Sequence, residues 1–284
     1  MRISSYWLAL SPLAALAASC QAAPAEEKTT SGPFTVTEIA HFDEPWALAF
    51  IPGTPLALIT ERKGKLKLWE EGGAVRDVAG VPTVAYGGQG GLGDIALAPD
   101  FAASGTVYLS WAEAGENGTR GAAVGRAKLV LEGTPRLDGL QVIWRQTPKV
   151  AGGGHFSHRI LFSPDGRFLF LSSGDRQKFT PAQAMDQNLG KIVRLLPDGT
   201  SAPGNPFADK PGAFADKPGT AVARQFWSIG HRNVLGLKFD AQGRLWDLEH
   251  GPRGGDELNL VKPGQNYGWP IVSNGDNYDG TPIP

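Results

Sequence analysis

The densest chemistry in the chain lies between residues 250 and 270. His250-Gly251-Pro252-Arg253-Gly254-Gly255-Asp256-Glu257 is followed by Asn266-Tyr267-Gly268-Trp269-Pro270. Glycine and proline bend the backbone along a fixed path, and bent backbone exposes carbonyl oxygens. The carboxylates of Asp256 and Glu257 stand beside those carbonyls. A hard cation such as calcium takes that mixture of carboxylate and carbonyl oxygen. The competing reading is a structural turn whose acids are solvated.

Three segments upstream carry further chemistry. Gly87-Gly88-Gln89-Gly90-Gly91 holds one amide on a loop where backbone can approach a flat ligand. It lacks the spacing and the following Lys of a phosphate loop, so a nucleotide is excluded; a flexible hinge is the alternative. Gly152-Gly153-Gly154-His155-Phe156-Ser157-His158-Arg159 runs straight into an apolar segment. A histidine there, with an ordinary pKa of about 6.5, suits a general base. Chemistry alone does not choose between His155 and His158, and either could be a satisfied loop residue. A transition-metal pair is disfavoured because no third His and no Cys is near. In Gly230-His231-Arg232-Asn233, Arg232 offers a planar fork for carboxylate or quinone oxygens, and Asn233 can donate and accept. Alternatively, Arg232 ties its loop to a nearby acid.

Four repeats must position these residues. Each is an apolar run, a Pro, Asp or Gly turn, and a second apolar run. They begin at Trp46, Ile95, Ile160 and Leu235, and their second runs lie near Leu56, Gly105, Phe168 and Leu245. Such pairs predict β-hairpins, and hairpins repeated at roughly 45- to 75-residue intervals predict propeller blades. In a propeller the loops at the blade edges converge on one face around the central channel. Gln89, His155, Arg232, Asn233 and the 256–257 turn then form one site. Thr180-Pro181 predicts a short helical turn with Thr180 as its cap. The repeated Phe-Ala-Asp-Lys-Pro-Gly at residues 207–212 and 214–219 predicts a duplicated surface loop with no chemistry. Four copies account for four blades, and the expectation is a six-bladed protein whose last blade or blades are missing from this chain. A complete four- or five-bladed propeller is the alternative.

The 284 residues carry 38 Gly, 22 Pro and a net charge of −1. That composition predicts a turn-rich folded protein without a nucleic-acid surface. Arg2 and the apolar run to Ala18 predict an export signal over residues 1–20, too short to span a bilayer. Residues 21–33 predict a disordered tether, and residues 34–284 the propeller domain. Cys20, the single cysteine, follows Ala17-Ala18-Ser19 and is a possible site of lipid attachment; soluble export is the other outcome. No other segment is apolar enough to cross a membrane. The expected location is periplasmic or secreted.

With these motifs in place, the chain resembles the quinoprotein sugar dehydrogenases, the glucose, aldose and sorbosone group. The resemblance runs from about Phe34 to the last residue. It rests on Pro45-Trp46-Ala47-Leu48-Ala49-Phe50, Gly88-Gln89-Gly90-Gly91-Leu92, Gly154-His155-Phe156-Ser157-His158-Arg159, Gly230-His231-Arg232-Asn233, residues 249–259 and Asn266-Tyr267-Gly268-Trp269-Pro270. It implies a six-bladed β-propeller that binds pyrroloquinoline quinone (PQQ) and calcium over its channel. It also implies oxidation of the C1 hydroxyl of an aldose to a lactone, with electrons passing to an external acceptor. His155 matches the general base. Gln89, Arg232, Asn233 and Tyr278 match quinone-contacting positions. Glu257, Tyr267 through its backbone oxygen, and the carbonyls of Gly251 and Pro252 match calcium positions. Gly154 stands where the glucose branch carries an acid, so the sequence offers no orienting partner for His155. His158 stands where small residues are common, and basic residues that grip the quinone in the family fall beyond the last residue here. The alternatives are a calcium-dependent propeller lactonase and a non-catalytic propeller that binds carbohydrate or protein.

Overall fold

The computed structural model describes residues 37–208 and 221–284. The expected export signal, the tether, Cys20 and most of the duplicated loop lie outside the described residues. Residues from Phe42 to Pro284 form one compact unit.

That unit is a β-propeller arrangement of four antiparallel sheets. The first sheet holds β1 (Pro45–Phe50), β2 (Leu56–Glu61), β3 (Lys65–Glu70) and β4 (Val75–Val78). The second holds β5 (Leu92–Leu97), β6 (Thr106–Ala114), β7 (Arg120–Val130) and β8 (Arg136–Arg145). The third holds β9 (Ser157–Phe162), β10 (Leu169–Ser173), β11 (Lys191–Leu195) and β12 (Phe226–Ile229). The fourth holds β13 (Val234–Phe239), β14 (Leu245–Glu249) and β15 (Glu257–Val261). In each sheet neighbours in sequence are neighbours in space, as expected for a meander joined by tight turns. The four sequence repeats are the first two strands of each blade. The outer strands carry no repeated turn motif and were not legible in that pattern.

Blades are held face to face by three apolar layers. Leu58, Leu66, Leu109 and Trp111 lie in the layer between the first two sheets. Tyr108, Val124, Leu171, Val193 and Phe226 lie between the second and third. Phe170, Ile192, Leu245 and Val261 lie between the third and fourth. The innermost strands β1, β5, β9 and β13 pack on one another in turn. This brings the loops before each of them to one end. Leu109 is fully buried, and Leu109→Ala is expected to cost about 2–5 kcal/mol in a urea titration. Leu48 and Phe50 on β1, and Leu248 and Leu258 in the fourth sheet, remain exposed.

Helix is confined to short turns. Thr180–Gln183 is a 3-10 helix, but Thr180 is its first residue rather than its cap. Phe179 holds the cap position, and its side chain has no polar atom with which to cap. No helix among the described residues is long and apolar enough to cross a membrane.

Candidate functional site

His155 sits just before β9 with a positive φ of 49° and is 6% exposed. Two glycine loops lock this conformation. The Gln89 N–H donates to the Gly153 carbonyl at 2.7 Å, and the His155 N–H donates to Gln89 Oε1 at 2.7 Å. Gly88 has φ 60°, and a Cβ there would lie 2.5 Å from the Gly153 oxygen. Gly88→Ala is therefore expected to cost about 1–3 kcal/mol, read by urea titration, and to displace His155 with it. Arg176, fully buried, clasps the same loop. Its Nε donates to the Gly154 carbonyl at 2.8 Å and its guanidinium also donates to the Gly152 carbonyl at 2.6 Å. Its guanidinium stacks 3.7 Å over Phe156.

The sequence offered no orienting partner for His155, and the structure supplies one. His155 Nδ1 donates to Asp175 Oδ1 at 2.7 Å, with Asp175 fully buried. Asp175 ends the third repeat, two residues after β10, and its own N–H donates to the Arg232 carbonyl at 2.8 Å. An Asp two residues past an apolar strand gives no local hint of a partner twenty positions earlier. With Nδ1 carrying the proton, Nε2 presents the lone pair. His158 has a different fate. It is 2% exposed, its Nδ1 lies 2.7 Å from Ser110 Oγ, and it stacks on Trp46 at 5.1 Å. Burial first, then Arg159 and Arg176, lower its pKa to about 3. Buried and stacked in this way, His158 packs against Trp46 and Phe156, whereas His155 lines a cavity together with Arg232.

Arg232 is 5% exposed and lies between Trp269 and Tyr278, 5.3 and 5.8 Å from their ring centres. It donates to the His250 carbonyl at 2.8 Å and to the Tyr278 hydroxyl at 3.3 Å. Its Nε is buried with no partner among the described residues. His155, Arg232, Tyr278, Gln177, Phe179 and Trp269 line one cavity of about 300 Å³. Gln89 and Asn233 line another, of about 280 Å³, with Trp46, Arg62 and His158. Their amide oxygens accept from the His155 N–H and, at 3.1 Å, from Ser157 Oγ. The five residues thus gather around one loop cluster but face two cavities.

Gly251, Pro252, Glu257 and Tyr267 line a single cavity of about 10 Å³, the size that holds one water or one ion. The Tyr267 hydroxyl donates to the Leu260 carbonyl and accepts from Lys262 N–H, so it is committed elsewhere. Burial raises the Glu257 carboxyl above its ordinary pKa, and Glu249 adds to the shift, whereas the Asn259 hydrogen bond opposes it. A cation beside Glu257 would reverse that shift. Asp256 does not join it. Neighbouring residues on an extended chain point to opposite sides, and Asp256 is bonded to the Gly251 N–H at 2.9 Å.

Beneath this cavity lies a buried cluster that the sequence reading left without a role. His231 Nδ1 is 3.0 Å from Glu249 Oε2 and 3.4 Å from Asp247 Oδ2. Glu249 Oε1 also accepts the N–H groups of Arg232 and Asn233. Glu249 therefore fixes the backbone of the pair above it. Burial pushes the Asp247 carboxyl up to about 7; His231 opposes this and Glu249 adds to it. Burial lowers the His231 pKa, but Glu249 and Asp247 outweigh it and raise the pKa overall. Both groups hold their protons more tightly folded than unfolded. Their stabilisation is present at low pH and lost as pH rises through neutrality. The urea midpoint is expected to fall as pH rises from about 4 to about 7, where Asp247 loses its proton, and Asp247→Asn to flatten that slope.

The profile of the family described as glucose/sorbosone dehydrogenase matches residues 42–284. The chain is 41% identical over 244 residues to the aldose sugar dehydrogenase YliI of Escherichia coli, across 85% of this chain and 63% of that protein. It is 28% identical to quinoprotein glucose dehydrogenase B of Acinetobacter calcoaceticus, across 83% of this chain and 52% of that one. The crystal structure of the apo E. coli aldose sugar dehydrogenase superposes with a TM-score of 0.78 at 41% identity, covering 85% of this chain and 67% of that one. The PQQ-bound aldose sugar dehydrogenase of Streptomyces coelicolor gives 0.71 at 32% identity, covering 87% and 68%. The chain thus spans just under two thirds of the E. coli relative's length.

Proposed function

Because the chain belongs to the glucose/sorbosone dehydrogenase family, we propose that it serves an exported quinoprotein that oxidises the C1 hydroxyl of an aldose to the lactone. The observation that carries this reading is the His155–Asp175 pair facing the same cavity as the buried cation Arg232. Asp175 holds the His155 Nδ1 proton, and His155 Nε2 takes the proton of the sugar's anomeric hydroxyl. PQQ, when bound, supplies the acceptor for the hydride that leaves C1. Arg232 places a fixed positive charge where negative charge develops, and its unpartnered Nε fits an anionic oxygen. Tyr278 and Trp269 flank that cation with aromatic faces suited to a flat ring system. Gln89 and Asn233 shape the loops on the other side. Gly251, Pro252, Glu257 and Tyr267 would hold calcium, which prefers carboxylate and carbonyl oxygen and adds Lewis acidity. An external acceptor then removes the electrons.

The test is a titration of the purified protein with PQQ and calcium, followed by aldoses and an electron-accepting dye. Saturable quinone binding with sugar-dependent dye reduction is the expected result. Sugar binding without quinone binding or turnover would favour the non-catalytic propeller. Quinone-independent, calcium-dependent lactone hydrolysis would favour the lactonase.

A further inference from the structure

We propose that Trp269 is a positioning residue for the base, acting through the second oxygen of Asp175. Asp175 Oδ1 is engaged by His155 Nδ1 at 2.7 Å and by the Gln177 N–H at 2.8 Å. Its Oδ2 accepts the indole N–H of Trp269 at 2.8 Å and, more weakly, the Phe179 N–H at 3.3 Å. The carboxylate is fully buried, so each of these donors replaces water it has lost. The indole is the only side-chain donor the structure gives to Oδ2 among the described residues. It arrives from 94 positions further along the chain. It is also firmly held. The Trp269 N–H donates to the Gly230 carbonyl at 3.0 Å, and its carbonyl accepts from Gln183 at 2.6 Å. The ring lies 5.5 Å from Phe179 and 5.3 Å from the Arg232 guanidinium. One buried ring therefore touches the acid that orients the base and the cation beside it.

The consequence concerns the proton on His155. A carboxylate anchored through both oxygens cannot rotate, so it holds the imidazole with Nδ1 protonated and Nε2 free. Losing the indole donor leaves Oδ2 with only the longer Phe179 N–H bond and lets the carboxylate turn. The imidazole then samples the other tautomer, in which Nε2 cannot accept a proton.

Trp269→Phe removes the N–H and keeps a ring. The tautomer is read from the nitrogen shifts of His155 in cofactor-free, 15N-histidine-labelled protein. A single Nδ1–H form is expected in the parent protein and a mixture in Trp269→Phe. Phe179→Leu, which removes the stacking partner but keeps the indole donor, is expected to leave the parent pattern. In quinone-loaded protein, kcat for aldose oxidation is expected to fall about tenfold in Trp269→Phe with little change in KM. That kinetic arm rests on the proposed dehydrogenase function, whereas the spectroscopic arm stands without it. An unchanged His155 pattern in Trp269→Phe, or the same mixture in Phe179→Leu, would overturn the proposal. If Trp269→Phe fails to fold, the indole N–H of the parent protein decides: exchange with solvent as fast as that of an exposed indole would refute the bond to Asp175.

Discussion

His155→Ala is expected to lower kcat for aldose oxidation by about a hundred- to ten-thousandfold, the range over which a positioned general base contributes. Quinone binding is expected to change far less, because Arg232 and Tyr278 do not depend on the imidazole for their own contacts. The His155 side chain touches Asp175, whose carboxylate keeps the N–H donors of Gln177, Phe179 and Trp269 when the imidazole is gone. The loop is held by the His155 backbone N–H on Gln89 rather than by the ring. The fold should therefore survive the substitution, and the loss should appear in kcat with a nearly unchanged urea midpoint. Stopped-flow reduction of the quinone-loaded variant by sugar would read the step directly. A loss of less than tenfold would remove His155 from the role of base.

Glu249→Ala is expected to be the most damaging single change near the site, at about 3–5 kcal/mol of stability. Glu249 is 4% exposed and accepts three donors: His231 Nδ1 and the backbone N–H groups of Arg232 and Asn233. Its removal leaves two buried backbone donors without partners, each a penalty of about 1–3 kcal/mol. It also leaves Asp247 as the one carboxylate beside His231 Nδ1, with Ser228 Oγ still on Nε2. Glu249→Gln keeps an oxygen for the two backbone donors and is expected to cost roughly half as much. Urea titration at neutral pH separates the two variants. Quinone affinity should weaken with Glu249→Ala, since the backbone that carries Arg232 is released. Equal destabilisation by Ala and Gln would mean that the charge, not the accepted hydrogen bonds, holds this loop.

Much of this architecture was legible in local pattern. The alternation of apolar runs with Pro, Asp and Gly turns depends only on neighbours in sequence, and it located β1–β2, β5–β6, β9–β10 and β13–β14. The outer strands escaped because β4 and β8 are half exposed and mixed in polarity. The glycine loops around Gln89 and His155 stood out because only glycine tolerates their close approach, as at Gly88 against Gly153. In sequence Asp256 and Glu257 look equivalent, although Asp256 binds the Gly251 N–H and Glu257 lines the small cavity.

By itself, the sequence determined the blade repeat, the glycine-rich loops and the residue types available to the site: a histidine at 155 or 158, Arg232, and the acids at 256–257 with their neighbouring carbonyls. These follow from short-range sterics and from what each side chain can donate, accept or ligate. Only the tertiary structure decided how those types are used. It paired His155 with Asp175, joined Trp269 to that acid, buried His158 against Ser110 and placed Glu249 beneath the Arg232–Asn233 backbone. Each of those contacts joins segments 16 to 94 residues apart. Such contacts exist only once the apolar layers between blades have brought the loops to one end, and no periodicity in the chain encodes which donor will then meet which acceptor.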